Sequence, residues 1–522
     1  MASTTVKDMS NVEDVIAEPG IEPGASAEPM LVTTDNFEEY EQEMSSSLDD
    51  RQMNESTAST ISEIQEDAQE VPPTTSVMSP LDLKQKTSLD DSKVEEAAKQ
   101  VGQCNLDADP LRCKTWLSQK KHIFVLSQAG KPIYSRHSSE DKLVTVMGVM
   151  QALVSFVQSG DDMIRSVHAG DTNFVFLVKG PLILVAISKT LESVQQLIMQ
   201  LTYVYNQILS VLTQSRLTSV YEQRRNYDLR RLLSGSERLI DHLLNFMDRE
   251  PAFFLGAIKC LPLVPAMRDN IAQIIIQTCG KIKNLVFAIL LANNQLVTLV
   301  RMKKYSIHPT DLHLIQNLVD SSESFKSAES WTPICLPKFD ANGYMHGHVS
   351  YLAEDCQACL LLLTVDRDVF FTLSEAKQKI VEKLRRTNCL EAINESMNKT
   401  SVTIAEIGLP EMRHVLYKCK STAQFWCPAF QAPYTTEEEI ERLLGLYQCL
   451  HHKLHAPSRP LKLIFQQLEK ETMFTWLTAG FELYATFEPL VTKRDAIEAV
   501  SKLLKWLKKE EERLFILNPP TF

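Results

Sequence analysis

The sequence contains no apolar run that is long enough to cross a bilayer. Two segments lack charged residues, 143–160 and 193–215, but Gln, Ser or Asn recurs at helical intervals in both. A membrane-spanning helix needs roughly 20 residues that are apolar on every side. Apolar residues in the second segment form one broad stripe, which is typical of an amphipathic helix. We therefore interpret both segments as helices of a globular protein.

Motifs of nucleotide-binding and hydrolytic enzymes are also missing. The sequence has no G-x-x-x-x-G-K-[ST], no G-x-G-x-x-G and no G-x-S-x-G, which are the signatures of phosphate loops and of a serine nucleophile on a strand-to-helix turn. We therefore predict no catalytic residue, no cofactor and no covalent chemistry.

The cysteines do not form a secretory pattern. Eleven are scattered at irregular spacings, mostly inside apolar runs, and the first residues lack the apolar core of a signal peptide. Such thiols are typical of reduced, buried cysteines. The sequence thus predicts a cytoplasmic location.

Two sets of residues contain possible metal ligands, but no metal site is predicted. The first set comprises Cys335, His346, His348, Cys356 and Cys359. Its C-x-x-C begins a predicted strand, where residues three apart point to opposite faces. The second set, His451, His452 and His455, has helical spacing but no acidic partner at ligand spacing, and is interpreted as a solvent-exposed helix face.

Charge divides the chain into a head and a body. Residues 1–100 contain 23 acidic and 6 basic residues, whereas the remainder has 43 acidic and 48 basic residues. The head is rich in Ser, Thr, Glu and Pro and poor in aromatic residues, which is typical of disorder. We predict a disordered acidic regulatory region over 1–110, with the alternative that it only aids solubility.

The body repeats one order of elements three times. In the first round a hairpin (121–137) precedes a helix (143–158), three strands within 163–188 and a long helix (191–213). The second round starts with the hairpin at 284–304 and the third with that at 413–430. The predicted regions are 111–216, a helical connection over 217–280, and modules over 281–390 and 391–522. Each module is predicted to be α/β (α+β), a five-stranded, mainly antiparallel sheet packed by helices.

The order hairpin, helix, three strands, helix is that of the longin fold. Three copies behind an acidic head resemble the tri-longin Mon family, part of the Mon–Ccz exchange complexes. The resemblance covers nearly everything after residue 113. It is carried by KTWLSQKKHIFVLSQAGKPIYSRH, GDTNFVFLVKGPLILVAISKT and YEQRRNYDLRRLLSGSERLID, which begin at residues 114, 170 and 221.

The resemblance implies a function and partners. It implies a subunit that forms a heterodimer with the Ccz subunit and acts as a guanine nucleotide exchange factor for the late-endosomal Rab GTPase. Early-to-late endosome conversion, lysosome or vacuole fusion and autophagosome fusion would follow. A third, larger subunit, phosphoinositide membranes and an early-endosomal Rab as recruiter are also implied, with peripheral location on endosomes and lysosomes. The alternatives are a non-catalytic longin-type trafficking scaffold, or an exchange-factor subunit for a different Rab on lysosome-related organelles.

Two surfaces are predicted in the first module. Asp171, Thr172 and Asn173 form a polar tip between two strands and are predicted to contact the Rab, although turns favour such residues in any case. The helix 143–158 carries apolar residues on more than one face. We predict that it meets the partner subunit, the alternative being burial within its own chain; the predicted interface residues are Val144, Met147, Val149, Met150 and Phe156.

A third surface is predicted in the second module. Trp331 lies beside Pro333, and strands that contain proline are usually at sheet edges. Aromatic residues are common binding hot spots, so Trp331 is predicted as a second Rab-docking residue, with a core position as the alternative. Three basic stretches, 224–231, 301–304 and 502–509, are interpreted as solvent-exposed faces, with contact to anionic lipid as the alternative. They lack the aromatic interleaving expected for nucleic acid.

Overall fold

The computed structural model describes residues 114–137, 143–190, 192–224, 227–354, 356–399, 402–456 and 459–522. The acidic region predicted over 1–110 lies outside these ranges. The described chain forms two compact units. The first unit comprises the described residues within 114–178 and 182–190, and the second unit comprises 179–181 and the described residues after 191.

The first unit is a five-stranded, mainly antiparallel sheet with a helix on one face. Its elements are α1 (Lys114–Leu117), β1 (Lys121–Ser127), β2 (Pro132–Ser135), α2 (Val144–Gln158), β3 (Ser166–Ala169), β4 (Thr172–Lys179) and β5 (Leu182–Ser188). The strand order is β2-β1-β5-β4-β3. β1 and β5 are buried along nearly their whole length, as expected for strands with neighbours on both sides. From α2, Met147, Met150 and Val154 pack against Phe124 and Val185.

The second sheet repeats this arrangement with helices on both faces. Its elements are β7 (Leu285–Ala292), β8 (Gln295–Arg301), α9 (Pro309–Ser321), α10 (Ser324–Ser327), β9 (Ser330–Leu336), β10 (Asp340–Ala353), β11 (Cys356–Thr364), α11 (Phe370–Arg386) and α12 (Cys389–Asn398). The strand order is β8-β7-β11-β10-β9. Leu312 and Ile315 of α9 join the core on one face. Leu373 and Ile380 of α11 join the core on the other face, so both faces of the sheet are covered.

The third sheet has the same order with one added strand. Its elements are α13 (Ile404–Ile407), β12 (Met412–Cys419), β13 (Gln424–Trp426), α14 (Glu437–Leu454), β14 (Leu463–Gln467), β15 (Thr472–Leu477), β16 (Phe481–Phe487) and α15 (Lys493–Leu514). The order is β14-β15-β16-β12-β13-β6, where β6 is Ile258–Lys259. Leu443 and Tyr447 of α14 cover one face. Val500 and Leu503 of α15 cover the other.

The predicted fold of three repeated modules is confirmed. In each sheet the last strand pairs antiparallel with the first, β5 with β1, β11 with β7 and β16 with β12. The antiparallel hairpins β1–β2, β7–β8 and β12–β13 flank these pairs. No helix among the described residues is long and apolar enough to cross a membrane.

The region between the first two sheets is mainly helical and also contributes β6. Its helices are α3 (Val194–Leu212), α4 (Gln214–Gln223), α5 (Arg230–Leu233), α6 (Glu237–Arg249), α7 (Ala252–Leu255) and α8 (Pro265–Cys279). α3 was predicted to close the first module, but it belongs to the second unit, where it packs against α6, β9 and α14. β6 pairs in parallel with β13. The connection thereby extends the third sheet, which is a long-range pairing that no local sequence pattern indicates.

A buried arginine joins α8 to the end of α15. The Arg268 guanidinium donates hydrogen bonds to four backbone carbonyls, listed here with their distances: Glu512 O 2.7 Å, Phe515 O 2.9 Å, Leu261 O 2.8 Å and Arg513 O 3.0 Å. The last carbonyls of a helix lack intrahelical donors and favour a cation. Arg268 therefore satisfies the end of α15 and fixes it to the connection.

Candidate functional site

The predicted polar tip is a tight hairpin turn at the edge of the first sheet. Ala169 pairs with Thr172 and His168 with Asn173, so Gly170 and Asp171 form a two-residue turn. Gly170 has φ +59°, which a residue with a Cβ rarely adopts. β3 is the outermost strand in the order. The turn thus projects three polar side chains from a regular edge hairpin.

The three predicted Rab-contact residues differ in exposure. Asp171 is exposed, whereas Thr172 and Asn173 are half-buried. The Nδ1 of His168 lies 2.5 Å from Oδ1 of Asn173 across the hairpin, and with the proton on Nδ1 it donates to that oxygen. The side-chain carbonyl of Asn173 therefore already accepts a hydrogen bond from the neighbouring strand. The register of β3 and β4 reveals His168 as a fourth polar residue of the tip, which we define as His168, Asp171, Thr172 and Asn173.

Helix α2 divides the predicted interface residues between two faces. Met147 and Met150 are buried in the core of the first unit, so the interface prediction is wrong for these two residues. Val144, Val149 and Phe156 are exposed, with Phe156 at 80%. Leu153, which the sequence analysis left out of the interface, is exposed as well. Because Val149, Leu153 and Phe156 follow helical i, i+4, i+7 spacing, they share one side, which we call the α2 outer face.

Exposed apolar side chains are concentrated in the first unit. Of twelve large apolar side chains that are exposed among the described residues, seven belong to this much smaller unit. They are Leu117, Val144, Val149, Leu153, Phe156, Met163 and Val167. α2 itself has no charged residue. Exposed apolar surface of this kind marks binding sites for other molecules, so the first unit is the best candidate for a protein interface.

Trp331 lies on the outermost strand of the second sheet. β9 ends the strand order, and Pro333 on the same strand is exposed. The Trp331 ring is half-buried; it stacks on His346 at 5.6 Å and meets the edge of Phe370 at 5.9 Å. Burial, with a contribution from Arg367, lowers the pKa of His346, so the stacked imidazole is neutral at neutral pH. The neighbouring Phe371 is 83% exposed.

The first set of metal-ligand candidates is dispersed by the fold. Cys356 belongs to the core on one face of the second sheet and Cys359 to the core on the other. The Cys335 thiol donates to the backbone carbonyl of Asp340, and His348 pairs with Glu329 at 3.1 Å. These residues each have separate structural roles.

Three successive sheets of one topology, each with its hairpin, crossing helix and three-stranded meander, define a tri-longin protein. Models of the first, second and third longin domains of FUZ, MON1 and HPS1 match residues 121–243, 283–382 and 411–511. The chain belongs to the MON1 family.

Curated relatives agree with this family. The chain is 50% identical over 408 residues to the "Vacuolar fusion protein MON1 homolog A" of Gallus gallus, covering 78% of this chain and 74% of that protein. It is 49% identical over 414 residues to the "Protein SAND" of Takifugu rubripes, covering 79% of each. It is 41% identical over 427 residues to the human "Vacuolar fusion protein MON1 homolog B", covering 78% of this chain and 77% of that protein. A solved bacteriophytochrome structure aligns with a TM-score of only 0.16 and supports no conclusion.

Proposed function

We propose that the chain is one subunit of a heterodimeric guanine nucleotide exchange factor, acting with a Ccz-type longin subunit on the late-endosomal Rab GTPase. The activity would promote early-to-late endosome conversion and fusion with the lysosome. Two of the relatives are named vacuolar fusion proteins, which supports a role in fusion. The observation that carries the heterodimer is the α2 outer face.

The α2 outer face favours a protein partner of the same kind. Val149, Leu153 and Phe156 form an apolar stripe on a helix without charged residues, opposite the stripe that packs on the chain's own sheet. Such a surface is stabilised when a second apolar helix covers it. A homologous helix from a longin subunit has the right shape, and ridges of one helix would fill the grooves of the other.

Exchange requires no covalent chemistry. An exchange factor prefers the nucleotide-free GTPase. It must therefore weaken nucleotide binding by the same ratio as the nucleotide weakens binding of the exchange factor. Displacing the switch loops and their Mg²⁺ contacts is sufficient. In this proposal the polar tip supplies that contact: the carboxylate of Asp171 is exposed, and His168 holds Asn173 in one orientation.

A second docking surface is proposed around Trp331. Its ring sits on an edge strand between His346 and Phe370, with Phe371 exposed beside them. Aromatic clusters of this kind act as anchors in protein interfaces. We propose that this surface binds the early-endosomal Rab that recruits the complex to the membrane. Phosphoinositide lipids of the membrane would provide a further contact for recruitment.

The experiment that tests the function is release of labelled nucleotide from a panel of Rab GTPases, by the full chain with and without the Ccz subunit. We expect acceleration for the late-endosomal Rab by the pair and none by either subunit alone. No acceleration by the pair on any Rab would overturn the exchange function and leave the non-catalytic scaffold. Acceleration of only a different Rab would reassign the substrate.

The heterodimer is tested separately with Phe156→Ser, and Phe371→Ser is the matched control because both rings are about equally exposed. We expect Phe156→Ser to weaken binding of the Ccz subunit by at least about 30-fold, as for an interface hot spot. Phe371→Ser should leave that affinity unchanged. Equal affinities for wild type and Phe156→Ser would overturn the α2 outer face as the interface.

The polar tip is tested with Asn173→Ala in the assembled pair. Because Asn173 is outside the α2 outer face, heterodimer affinity should stay at the wild-type value while nucleotide release slows. Trp331→Ala serves as the comparison: it should reduce binding of the early-endosomal Rab without slowing release from a Rab in solution. A wild-type release rate for Asn173→Ala would refute the proposed contact.

A further inference from the structure

The third module brings together three side chains that are suited to bind a metal ion. His451 and His455 lie one turn apart near the end of α14, and Glu482 lies on β16. One ligand atom from each lies within 4.8 Å of the other two, and His455 Nε2 is 3.3 Å from Glu482 Oε2. We propose that His451, His455 and Glu482 bind a Zn²⁺ ion that fastens α14 to β16.

This arrangement corrects the sequence-based interpretation of the histidines. The sequence showed no acidic partner at ligand spacing, but Glu482 is brought opposite α14 by the packing of the helix on the sheet. His451 also does not lie on a solvent-exposed face: its ring contacts Phe254 at 5.5 Å and Tyr484 at 6.1 Å between centroids. Two aromatic neighbours therefore restrict the orientation of this imidazole.

The donor set favours zinc. Two imidazoles and one carboxylate are ligands that suit a metal ion of borderline softness. At sites of this kind Zn²⁺ binds more tightly than Fe²⁺ or Mn²⁺. Tetrahedral coordination places ligand atoms roughly 3.3 Å apart, given metal–ligand distances of about 2.0–2.1 Å. The 3.3 Å separation of His455 Nε2 and Glu482 Oε2 matches this value; the two atoms share a hydrogen bond, and Zn²⁺ would take the place of its proton. The ligand atom of His451 lies within 4.8 Å of the other two.

Neighbouring groups orient the Glu482 carboxylate, as groups that hydrogen-bond to the ligands do in metal sites. Glu482 is buried, with its side chain 3% exposed. The Tyr484 hydroxyl donates to its Oε2 at 3.2 Å, and Lys418 Nζ donates to its Oε1 at 3.3 Å. Hydrogen bonds to a ligating carboxylate fix its orientation and support metal affinity. The lysine charge, by contrast, opposes a second cation, and this makes Lys418 a useful probe.

The two imidazoles lie side by side, with ring centroids 4.3 Å apart. The His455 side chain is 35% exposed, and its Nε2 lies within hydrogen-bond distance of Glu482 Oε2. With three protein ligands and one partly exposed histidine, the fourth position is open to water. The ion would join the last turn of α14 to the strand that pairs with both β12 and β15.

The test is Zn²⁺ and Co²⁺ binding to the metal-free full chain, measured by calorimetry and by Co²⁺ absorption. His455→Gln removes the most exposed ligand, and His452→Gln, the adjacent histidine outside the cluster, is the matched control. We expect one Zn²⁺ bound by wild type and by His452→Gln, and affinity lower by more than about 100-fold in His455→Gln, exceeding the effect of losing an outer partner. Equal affinity of wild type and His455→Gln would overturn the site.

Two further measurements separate this site from the cysteines of the chain. Co²⁺ in a site of imidazole and carboxylate ligands gives no thiolate-to-metal charge-transfer band, whereas binding by cysteines does, so such a band would contradict the proposal. Lys418→Met should raise the Zn²⁺ affinity by about 10-fold, because removing a positive charge that repels the ion outweighs the loss of the hydrogen bond to Glu482. Unchanged or lower affinity in Lys418→Met would refute coordination by Glu482.

Discussion

Helices α2 and α9 occupy equivalent positions in the first and second modules, between the hairpin and the three-stranded meander, but their surroundings differ. Both are apolar on more than one side. α9 is buried along ten of its residues, whereas α2 buries only Met147, Met150 and Val154. The same local pattern thus leads to a helix that is covered along most of its length in one module and to a helix that is covered on one side in the other.

The covered faces of α9 have identifiable partners. Leu312 and Ile315 pack on the second sheet, while Leu314 on the other side joins a core with Tyr203 of α3 and Leu243 of α6. The connection between the sheets therefore supplies the second cover for α9.

Polar residues of α9 are buried as well, and each finds a partner. His313 bonds to the Tyr203 hydroxyl at 2.9 Å and to the Ala257 carbonyl at 3.1 Å. The Gln316 amide donates to Asn294 O, and the Asn317 amide donates to Gln207 and to Leu239 O. A buried polar group needs such bonds because its desolvation is costly. The comparison teaches that a second apolar side predicts a cover, but the cover can come from the chain itself or from a partner.

The largest expected effect comes from replacing one apolar residue on the outer side of each helix. Leu314→Ser should lower the free energy of opening of α9 by about 3–4 kcal/mol, because it leaves a cavity and buries a hydroxyl. Phe156→Ser should change the stability of the first unit by no more than about 0.5 kcal/mol. Hydrogen exchange of the α9 and α2 amides measures both. A large loss for Phe156→Ser would mean that the chain itself covers the α2 outer face.

An intermediate effect is expected for the buried amide of α9. Asn317→Ala should cost about 2 kcal/mol, since Gln207 and the Leu239 carbonyl each lose a donor within 3.0 Å. Gln151→Ala on α2 is the control: its Nε2 donates to the Gln128 carbonyl at 3.2 Å but is partly exposed, so about 0.5 kcal/mol is expected. The same exchange measurement applies, and equal costs would remove the distinction between the two helices.

A pH-dependent effect is expected for Asp311, which is fully buried on α9. Burial raises the pKa of Asp311 to about 7, although the Lys338 amide donates to it. The folded state therefore holds its proton more tightly than the unfolded chain, so stability falls as pH rises from about 4 to about 7. Asp311→Asn should remove this decrease. The stability of the variant relative to wild type should therefore rise as the pH increases across that range, as measured by thermal unfolding.

Asp320→Asn is the control at the other end of α9. Its carboxylate accepts a hydrogen bond from His242, which lowers the pKa of Asp320 below its usual value. This group stabilises the fold above its unfolded pKa and loses that contribution as pH falls. Replacing Asp320 should therefore destabilise the protein at neutral pH. A gain in stability like that of Asp311→Asn would contradict the lowered pKa of Asp320.

Much of the fold could be predicted from local patterns. The runs that form β4, β5, β7 and β11 are apolar and bounded by turn residues, and the helices between them show clear stripes. The exact ends of α11 (Phe370–Arg386) and β10 (Asp340–Ala353) are less evident from the sequence. Boundaries of this kind depend on tertiary packing and carry weak local signals.

The candidate sites were predictable only in part. The turn at Gly170 and the double-sided helix α2 follow from residue types, but the predicted interface omitted Leu153 and wrongly included Met147 and Met150. Helical periodicity identifies which residues share a face, and it does not say which face meets the sheet. His168 and Glu482 were missed because strand register and helix packing bring them to their partners.

The sequence by itself determined the repeated topology, because strand and helix periodicities and turn residues act within a few residues of one another. Only the tertiary structure decided which apolar faces are covered, that β6 joins the third sheet, and that Glu482 meets His451 and His455. These outcomes rest on contacts between residues far apart in the chain, which depend on shape and burial and leave no periodic trace in the sequence.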